Sequence, residues 1–217
     1  MADNERTLPL FPLNTVLFPG LLLPLHIFEE RYKLMIGACL VTDRVFGVSL
    51  IRSGQEVGEP AEPFEVGTFA RIVDVERLPD GRMNLVAIGV QRYRLLKILE
   101  QKPFLVGQVE PFPRVVEPIE SGLSSTLGER FREYVRELRA GDAAGEPPQL
   151  SDDPEILSFQ LAGGLGISAR ARQELLELES TAERLRRLLV IVQRERETLR
   201  LLGRGSSGKN VGRFSLN

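Results

Sequence analysis

A proline-punctuated apolar run from Thr7 to Met35, TLPLFPLNTVLFPGLLLPLHIFEERYKLM, constrains this chain more than any other stretch. It holds no Asp, Glu, Lys or Arg before Glu29, and it carries Pro9, Pro12, Pro19 and Pro24. Proline has no amide to donate and is kept out of helix interiors and central ladder positions. A single long buried helix is therefore excluded, and so is a membrane span, which needs about 20 unbroken apolar residues. The run predicts extended pieces at Leu8–Phe11 and Val16–Phe18, a turn at Pro19-Gly20, and a further extended piece at Leu21–Leu25. An apolar run of this length must be buried, and it belongs in the core of a β-rich domain.

Helical spacing of Phe28, Tyr32, Met35, Ile36 and Cys39 predicts a helix over about 27–40, with Glu29, Glu30, Arg31 and Lys33 turned mainly to water. Asp43-Arg44 reads as a turn and Val45–Ile51 as a strand. Arg52–Pro63, with Gly54, Gly58, Pro60 and Pro63, is a loop by composition and a candidate mobile one. Thr68–Leu78 and Met83–Val90 form a hairpin around Pro79-Asp80-Gly81, where Pro suits the first corner and Gly accepts positive φ. Gln91–Leu99 and Phe104–Glu110 complete six or seven short strands, the pattern of a small closed or nearly closed barrel.

Composition changes at Pro111–Pro118, and helical periodicity takes over. The chain thus divides into a β-rich subdomain over 1–116, a helical one over 117–202, and a Gly/Ser-rich tail over 203–217 expected to be disordered. Leu123, Leu127, Phe131, Tyr134 and Leu138 make one stripe of a helix over Gly122–Arg139. Gly141–Pro148 is a flexible connection. Asp153-Pro154 opens a helix that ends at Gly163-Gly164. Ser168 caps another helix, and Ser180 with Glu183 makes a capping box for a long helix to about Leu202. On that last helix Leu185, Leu188, Leu189, Val192 and Leu199 face inward. Its run of Arg184, Arg186, Arg187, Arg194, Arg196 and Arg200 among Glu183, Glu195 and Glu197 reads as a solvated face with i,i+4 ion pairs.

The net charge of −2 gives no sign of a nucleic-acid or anionic-membrane surface. The single cysteine, Cys39, excludes an internal disulfide and fits a reducing cytoplasm. MADNERT lacks the pattern of a signal peptide, so the expected location is cytoplasmic. Catalytic and cofactor chemistry is poorly supported. Gly203–Asn210 resembles a phosphate-binding loop in spacing, but Asn210 stands where Ser or Thr is needed, and a helix precedes it where a strand should. His26 is the only histidine. With Cys39 it makes neither a metal set nor a nucleophile pair, and the two read as a helix-start histidine and a buried thiol. Ser49, Ser53 and Ser158 lack a nucleophile elbow. Asp152-Asp153 reads as a helix cap, and Asp74 and Glu76 face water along a strand. No cofactor and no metal are expected.

Taken together, Leu8-Pro9-Leu10-Phe11-Pro12-Leu13, Val16-Leu17-Phe18-Pro19-Gly20, Leu23-Pro24-Leu25-His26-Ile27-Phe28-Glu29 and Arg31-Tyr32 resemble the N-terminal substrate-binding domain of the Lon proteases, in its stand-alone bacterial form. Phe46-Gly47-Val48, Pro79-Asp80-Gly81, Gly89 with Arg92-Tyr93-Arg94, Asp153-Pro154, Gln173–Glu177 and Arg184-Leu185 follow in order. The resemblance spans about Leu8 to Leu202. It implies an α+β fold: a β-rich, PUA-like pseudobarrel with one helix, followed by a C-terminal α-helical bundle. It also implies capture of polypeptides. The ATPase and Ser-Lys protease modules of a full Lon protease have no room in a chain that stops at Asn217, so a non-catalytic binding module is expected. Its partners would be unfolded or exposed polypeptide segments, and an associated protease or ATPase. RNA binding, which the PUA-like architecture invites, is opposed by the lack of a lysine-rich stripe, an aromatic platform or any tryptophan.

The places expected to hold a polypeptide are the helix from Ile27, the Arg52–Pro63 loop, and the groove where barrel meets bundle. The residues singled out are Phe28, Arg31, Tyr32 and Met35, with core packing as the competing role for Phe28, Tyr32 and Met35. Substituting Arg31 and neighbouring outward residues is expected to weaken binding without lowering stability. Two alternatives remain: an adaptor docking through the Arg/Glu-rich helix at Arg186 and Arg187, and a small-molecule-binding protein or enzyme using a barrel pocket.

Overall fold

The structure, a computed structural model, describes residues 5–56, 58, 61–139 and 146–205. The first strand, β1 (Arg6–Leu13), holds Pro9 and Pro12 and still has neighbours on both sides. It pairs antiparallel with β7 (Leu105–Pro111) through residues 6–10 and parallel with β3 (Val45–Ser53) through residues 10–13. Leu10 alone is in register with both. Each proline therefore lies where β1 has one neighbour only, the setting in which a missing amide is tolerated.

The ring closes through β6 (Met83–Glu100) and β5 (Val66–Arg77), in the order β1-β7-β6-β5-β3 and back to β1. Closure gives each of these five strands a neighbour on both sides, β1 by turns along its length. The parallel β1–β3 pair requires a crossover. It is made by β2 (Leu22–Ile27), which lies beside the first half of β6, and by α1 (Glu30–Leu40). The short β4 (Glu62–Pro63) extends β3. The β5–β6 hairpin turns at Pro79-Asp80-Gly81 as expected, with Gly81 at φ 82° and the Leu78 amide donating to the Arg82 carbonyl.

Three apolar clusters fill the interior, and the opening run supplies all of them. Leu8 and Leu10 enter one with Tyr93, Leu95 and Val109. Phe11, Leu13, Leu17 and Ile27 enter a second with Met35, Phe46 and Leu85. Phe18 enters a third, which is otherwise mostly helical. Pro19-Gly20 makes the turn between these destinations, with Gly20 at φ 82° and the Leu21 amide donating to the Phe18 carbonyl. The turn lies flat on β6: the Gly20 amide donates to the Gly89 carbonyl and the Gly89 amide to the Leu21 carbonyl. A side chain at Gly89 would run into the Phe18 carbonyl.

The helical half comprises α2 (Leu123–Leu138), α3 (Pro154–Gly164), α4 (Ala169–Leu176) and α5 (Thr181–Gly205). Asp153 caps α3 by accepting from the Glu155 and Ile156 amides, Ser168 caps α4, and Ser180 accepts from the Glu183 amide at the start of α5. Leu127, Phe131 and Tyr134 of α2 pack with Leu185, Leu188 and Val192 of α5. Phe18, Val66 and Phe112 of the barrel share that cluster, so the two halves have a common core. Arg196, on α5, binds Glu133 and Glu137 of α2, and Arg200 adds a 2.8 Å bond to Glu137.

Several local expectations change. Val16–Phe18 is not a strand, because its residues are spent on the turn, with the Leu17 carbonyl accepting from Thr68 Oγ1 at 2.6 Å. Helix α1 starts at Glu30, not near Ile27, because Ile27 is paired with Met83 and the ladder holds the chain extended to that point. His26 is thus an exposed strand residue whose Nδ1 meets Asn84 Oδ1 at 2.7 Å, not a helix-start residue. Gln91–Leu99 is the continuation of β6 past a bulge, and Leu138 is exposed despite its place in the α2 stripe. The 116/117 boundary falls in the connection between β7 and α2. Helix α5 passes the expected end at Leu202. The rest of the expected tail, including Lys209 and Asn210 of the loop-like motif, lies outside the described residues, as does most of the Gly141–Pro148 connection. No helix among the described residues is long and apolar enough to cross a membrane.

Two outcomes follow. Gly89→Ala should lower stability by about 1–3 kcal/mol, since a backbone oxygen cannot move aside as a side chain can, and urea unfolding measures this. The Glu137 carboxyl is held below the usual carboxylate range, first by its hydrogen bond from Arg196 and then by Arg200. Its folded value lies below its unfolded one, so its contribution is present above that range and is lost as pH falls through the depressed value. Glu137→Gln should therefore be less stable than the wild type by about 1–3 kcal/mol at pH 6, and the gap should close toward pH 3 in thermal melts.

Candidate functional site

An open groove of about 600 Å³ lies where the barrel meets the helices. One wall is the Pro19-Gly20 turn with the stretch Ile88–Arg92 of β6, and the other is Phe112 and Arg114 after β7 with Glu155, Ile156 and Phe159 of α3. A β-bulge shapes the first wall. Ala70 pairs with Gly89 and Thr68 with Arg92, so Phe69 stands opposite both Val90 and Gln91. Both of these are exposed at the rim. Bulges bend a strand and re-aim its side chains, and here the strand leaves its ladder beside the groove. The second wall is fixed by the α3 cap at Asp153 and by the stacking of Phe159 on Phe18, with ring centroids 5.9 Å apart.

Arg92 lies low in the groove and is 4 % exposed. Its Nη1 donates to the carbonyl oxygens of Leu176 (2.8 Å) and Leu178 (2.6 Å), at the turn between α4 and α5. Its guanidinium lies over the Phe112 and Phe159 rings. Close by, the fully buried Arg184 donates to Ser158 Oγ, the Leu178 carbonyl and Thr181 Oγ1. Neither guanidinium touches a carboxylate among the described residues. Burial pushes Arg92 down to about 10 and Arg184 down to about 9, and the positive charge of Arg92 adds to the effect on Arg184. Both stay protonated at neutral pH. At the rim Arg114 binds Glu155 at 3.0 Å, and Arg71 is in no ion pair among the described residues.

The four residues singled out from the sequence occupy different environments. Phe28 is half exposed, on the connection between β2 and α1, 6.2 Å from the His26 ring. Tyr32 and Met35 point into the barrel core, Met35 with no exposed area and Tyr32 stacked on Phe11 at 4.0 Å. Arg31 is not turned to water. Its Nε donates to Glu29 at 3.1 Å, its Nη2 to the Glu56 carbonyl at 2.9 Å, and its guanidinium covers Tyr32. Glu56 in turn accepts from the Asn14 amide, and Glu29 from the Gly58 amide. The stretch expected as a loop over 52–63 begins and ends in strand, in β3 and β4, and Arg31 is thus a clasp between α1 and the connection between them at Glu56. None of the four lines the groove at the barrel–helix junction.

Arg92 and Arg184 escaped the sequence reading. Arg184 was grouped with the solvated arginines of α5, but it shares the helical phase of Leu188 and Val192, and that phase was the available signal. Arg196 is likewise largely buried. Two of the outward arginines are paired within the chain, Arg186 with Glu120 and Arg187 with Glu183. Arg92 had no such signal, because the bulge resets the strand's alternation. Among the described residues no group of three His, Cys, Asp or Glu is placed to hold a metal. Cys39 is buried and its thiol is pushed up to about 11 by burial, an inert state.

Comparison with known proteins gives one family. The model of the ATP-dependent protease La (LON) substrate-binding domain matches residues 7–194. The chain is 31% identical over 210 residues to Lon protease 2 of Herpetosiphon aurantiacus and 29% identical over 207 residues to Lon protease of Anaeromyxobacter dehalogenans. Each match takes in 92% of this chain but only 25% and 24% of those proteins, so the chain spans about a quarter of their length. The crystal structure of a Lon N-terminal domain protein from Xanthomonas campestris is 30% identical, with a TM-score of 0.63 over 85% of this chain and 98% of that one. The N-terminal domain of the Mycobacterium avium complex Lon protease, at 18% identity, shares the fold, with a TM-score of 0.68 over 87% of this chain and 98% of that one.

The clasp at Arg31 has a direct test. Arg31→Ala should raise hydrogen exchange at the Asn14 and Gly58 amides about tenfold, with global stability changing by less than about 1 kcal/mol. Exchange by NMR resolves the two amides separately.

Proposed function

The chain belongs to the Lon substrate-binding domain family, and from that premise we propose that it is a non-catalytic module that holds unfolded polypeptide segments. The family match over residues 7–194 carries this reading. The proposed architecture is the PUA-like pseudobarrel of residues 1–116 with a helical bundle over 117–202, and the proposed setting is cytoplasmic, beside a protease or ATPase partner. Capture of unfolded chains needs accessible apolar surface beside polar groups that fix the backbone. The barrel–helix groove has both: Val90 and Ile156 are about half exposed at its rim, and Arg71, Arg92 and Arg114 line it.

Of the α1-side residues, Phe28 is proposed as an additional apolar contact. Arg31, Tyr32 and Met35 act on binding only through the shape of the corner they support. Docking of a partner through α5 is less favoured, because Arg186, Arg187, Arg196 and Arg200 are all engaged within the chain.

The reading is tested with a fluorescently labelled, permanently unfolded polypeptide and its folded form. The unfolded form should bind at least about tenfold more tightly, without ATP and without cleavage, as measured by fluorescence anisotropy and gel electrophoresis. Equal binding of both forms, or of neither, would sink it.

A further inference from the structure

The two grooves on either side of Phe112 differ in their charge balance. One, of about 540 Å³, is lined by Arg52, Arg94 and Arg170, and each has a carboxylate partner: Glu62, Glu110 with Glu179, and Glu174. The other, the barrel–helix groove, holds Arg71, Arg92 and Arg114 against one carboxylate, Glu155, which is taken by Arg114. It carries excess positive charge on a chain whose net charge is −2.

Arg92 is the buried member of this set. This side chain is more than nine-tenths buried and lines the groove, and only its Nη1 is hydrogen-bonded among the described residues. The Nε and Nη2 donors lack partners there. A guanidinium presents such donors as a planar fork that matches a carboxylate. The Phe112 and Phe159 rings lie against the guanidinium, at 4.6 and 5.6 Å from its carbon. The fork is therefore held in place before any ligand arrives.

We propose that Arg92 is a carboxylate subsite in this groove, taking the side chain of an Asp or Glu set within an otherwise apolar, extended polypeptide segment. The proposal rests on the polypeptide-binding reading and narrows its substrate class. Arg92 lies below a rim of Val90, Gln91 and Ile156, so a carboxylate on a side-chain stem reaches it while flanking apolar residues stay on the rim. Arg71 and Arg114 supply long-range attraction at the mouth and Arg92 supplies the paired hydrogen bonds.

The test uses fluorescein-labelled, C-terminally amidated peptides of Leu, Val and Ser with one central Glu or, in its place, Gln. A third peptide has the Gln and a free C-terminal carboxylate. The Glu peptide should bind the whole protein about tenfold more tightly than the Gln peptide at neutral pH. Arg92→Gln should abolish that preference. Because it also removes the bonds to Leu176 and Leu178, Val90→Glu is the second variant: it places a like charge on the exposed rim and should bring the two peptides to equal affinity. A Glu preference that survives in Val90→Glu and in folded Arg92→Gln overturns the assignment. So does a free-acid Gln peptide that binds as tightly as the Glu peptide, which would give the site to a chain terminus. If the unfolded polypeptide binds but the Glu and Gln peptides are equal, the subsite falls and the broader reading stands. If nothing binds, both fall.

Discussion

The carbonyl oxygen of Leu178 accepts from two buried guanidiniums, those of Arg92 on β6 and Arg184 on α5. This joint connects the barrel to the helices. Burying a charge is expensive unless its donors are satisfied, and here main-chain carbonyls, hydroxyls and ring faces do the work that a carboxylate does in an ion pair. A lysine in either place would lose the planar fork and the stacking on Phe112 or Phe159. The arrangement is directional: two carbonyls and two hydroxyls must point correctly at once, which allows one docking of the turn between α4 and α5 on β6. Apolar contact alone would tolerate sliding.

The opening run makes that docking possible. Phe18 leaves the barrel and stacks on Phe159, the same ring that both the Arg92 and Arg184 guanidiniums approach. Burying a phenylalanine completely contributes about 1.5–3 kcal/mol, enough to matter against a net stability of about 5–15 kcal/mol. The neighbouring residues commit to other clusters, Leu17 to the α1 side and Leu8 and Leu10 to the far side of the barrel. One segment with little regular structure between its two strands thus divides three cores. Proline suits the task, since it stops Val16–Phe18 from joining a ladder that would turn successive side chains to only two faces.

What the sequence made legible was local. The Pro79-Asp80-Gly81 turn, the Asp153, Ser168 and Ser180 caps and the Pro19-Gly20 turn each depend on a few adjacent residues, and the structure has them where the rules place them. The start of α1 was not legible, because it is decided by the pairing of Ile27 with Met83, residues far apart in the chain. The setting of Arg31 is hidden for a related reason: helical phase puts it outward, and the Glu56 carbonyl, far along the chain, then engages it. The groove was foreseen as a region but not in its residues. Its walls come from five separate stretches, around residues 19, 71, 90, 113 and 156, and no local pattern brings these together. The buried Arg184 was available from its phase with Leu188 and Val192, but charge weighed more than position.

The same contacts that dock the helices on the barrel also build the groove. Helix α3 supplies one wall through Ile156 and Phe159, β6 supplies the other, and Arg92 belongs to both the joint and the groove floor. A barrel without the helices would lose Glu155, Ile156 and Phe159 from the second wall and would expose Phe18 and Phe112. Binding and docking are therefore linked in free energy: a ligand that bridges the walls stabilises the joint by as much as the joint favours the ligand. Substitutions at the rim, at Val90 or Ile156, act on one side of this linkage, whereas substitutions at the Leu178 joint act on both. The floor is already ordered by the folded state, so in the proposed role the entropy lost on binding would fall mainly on the polypeptide itself.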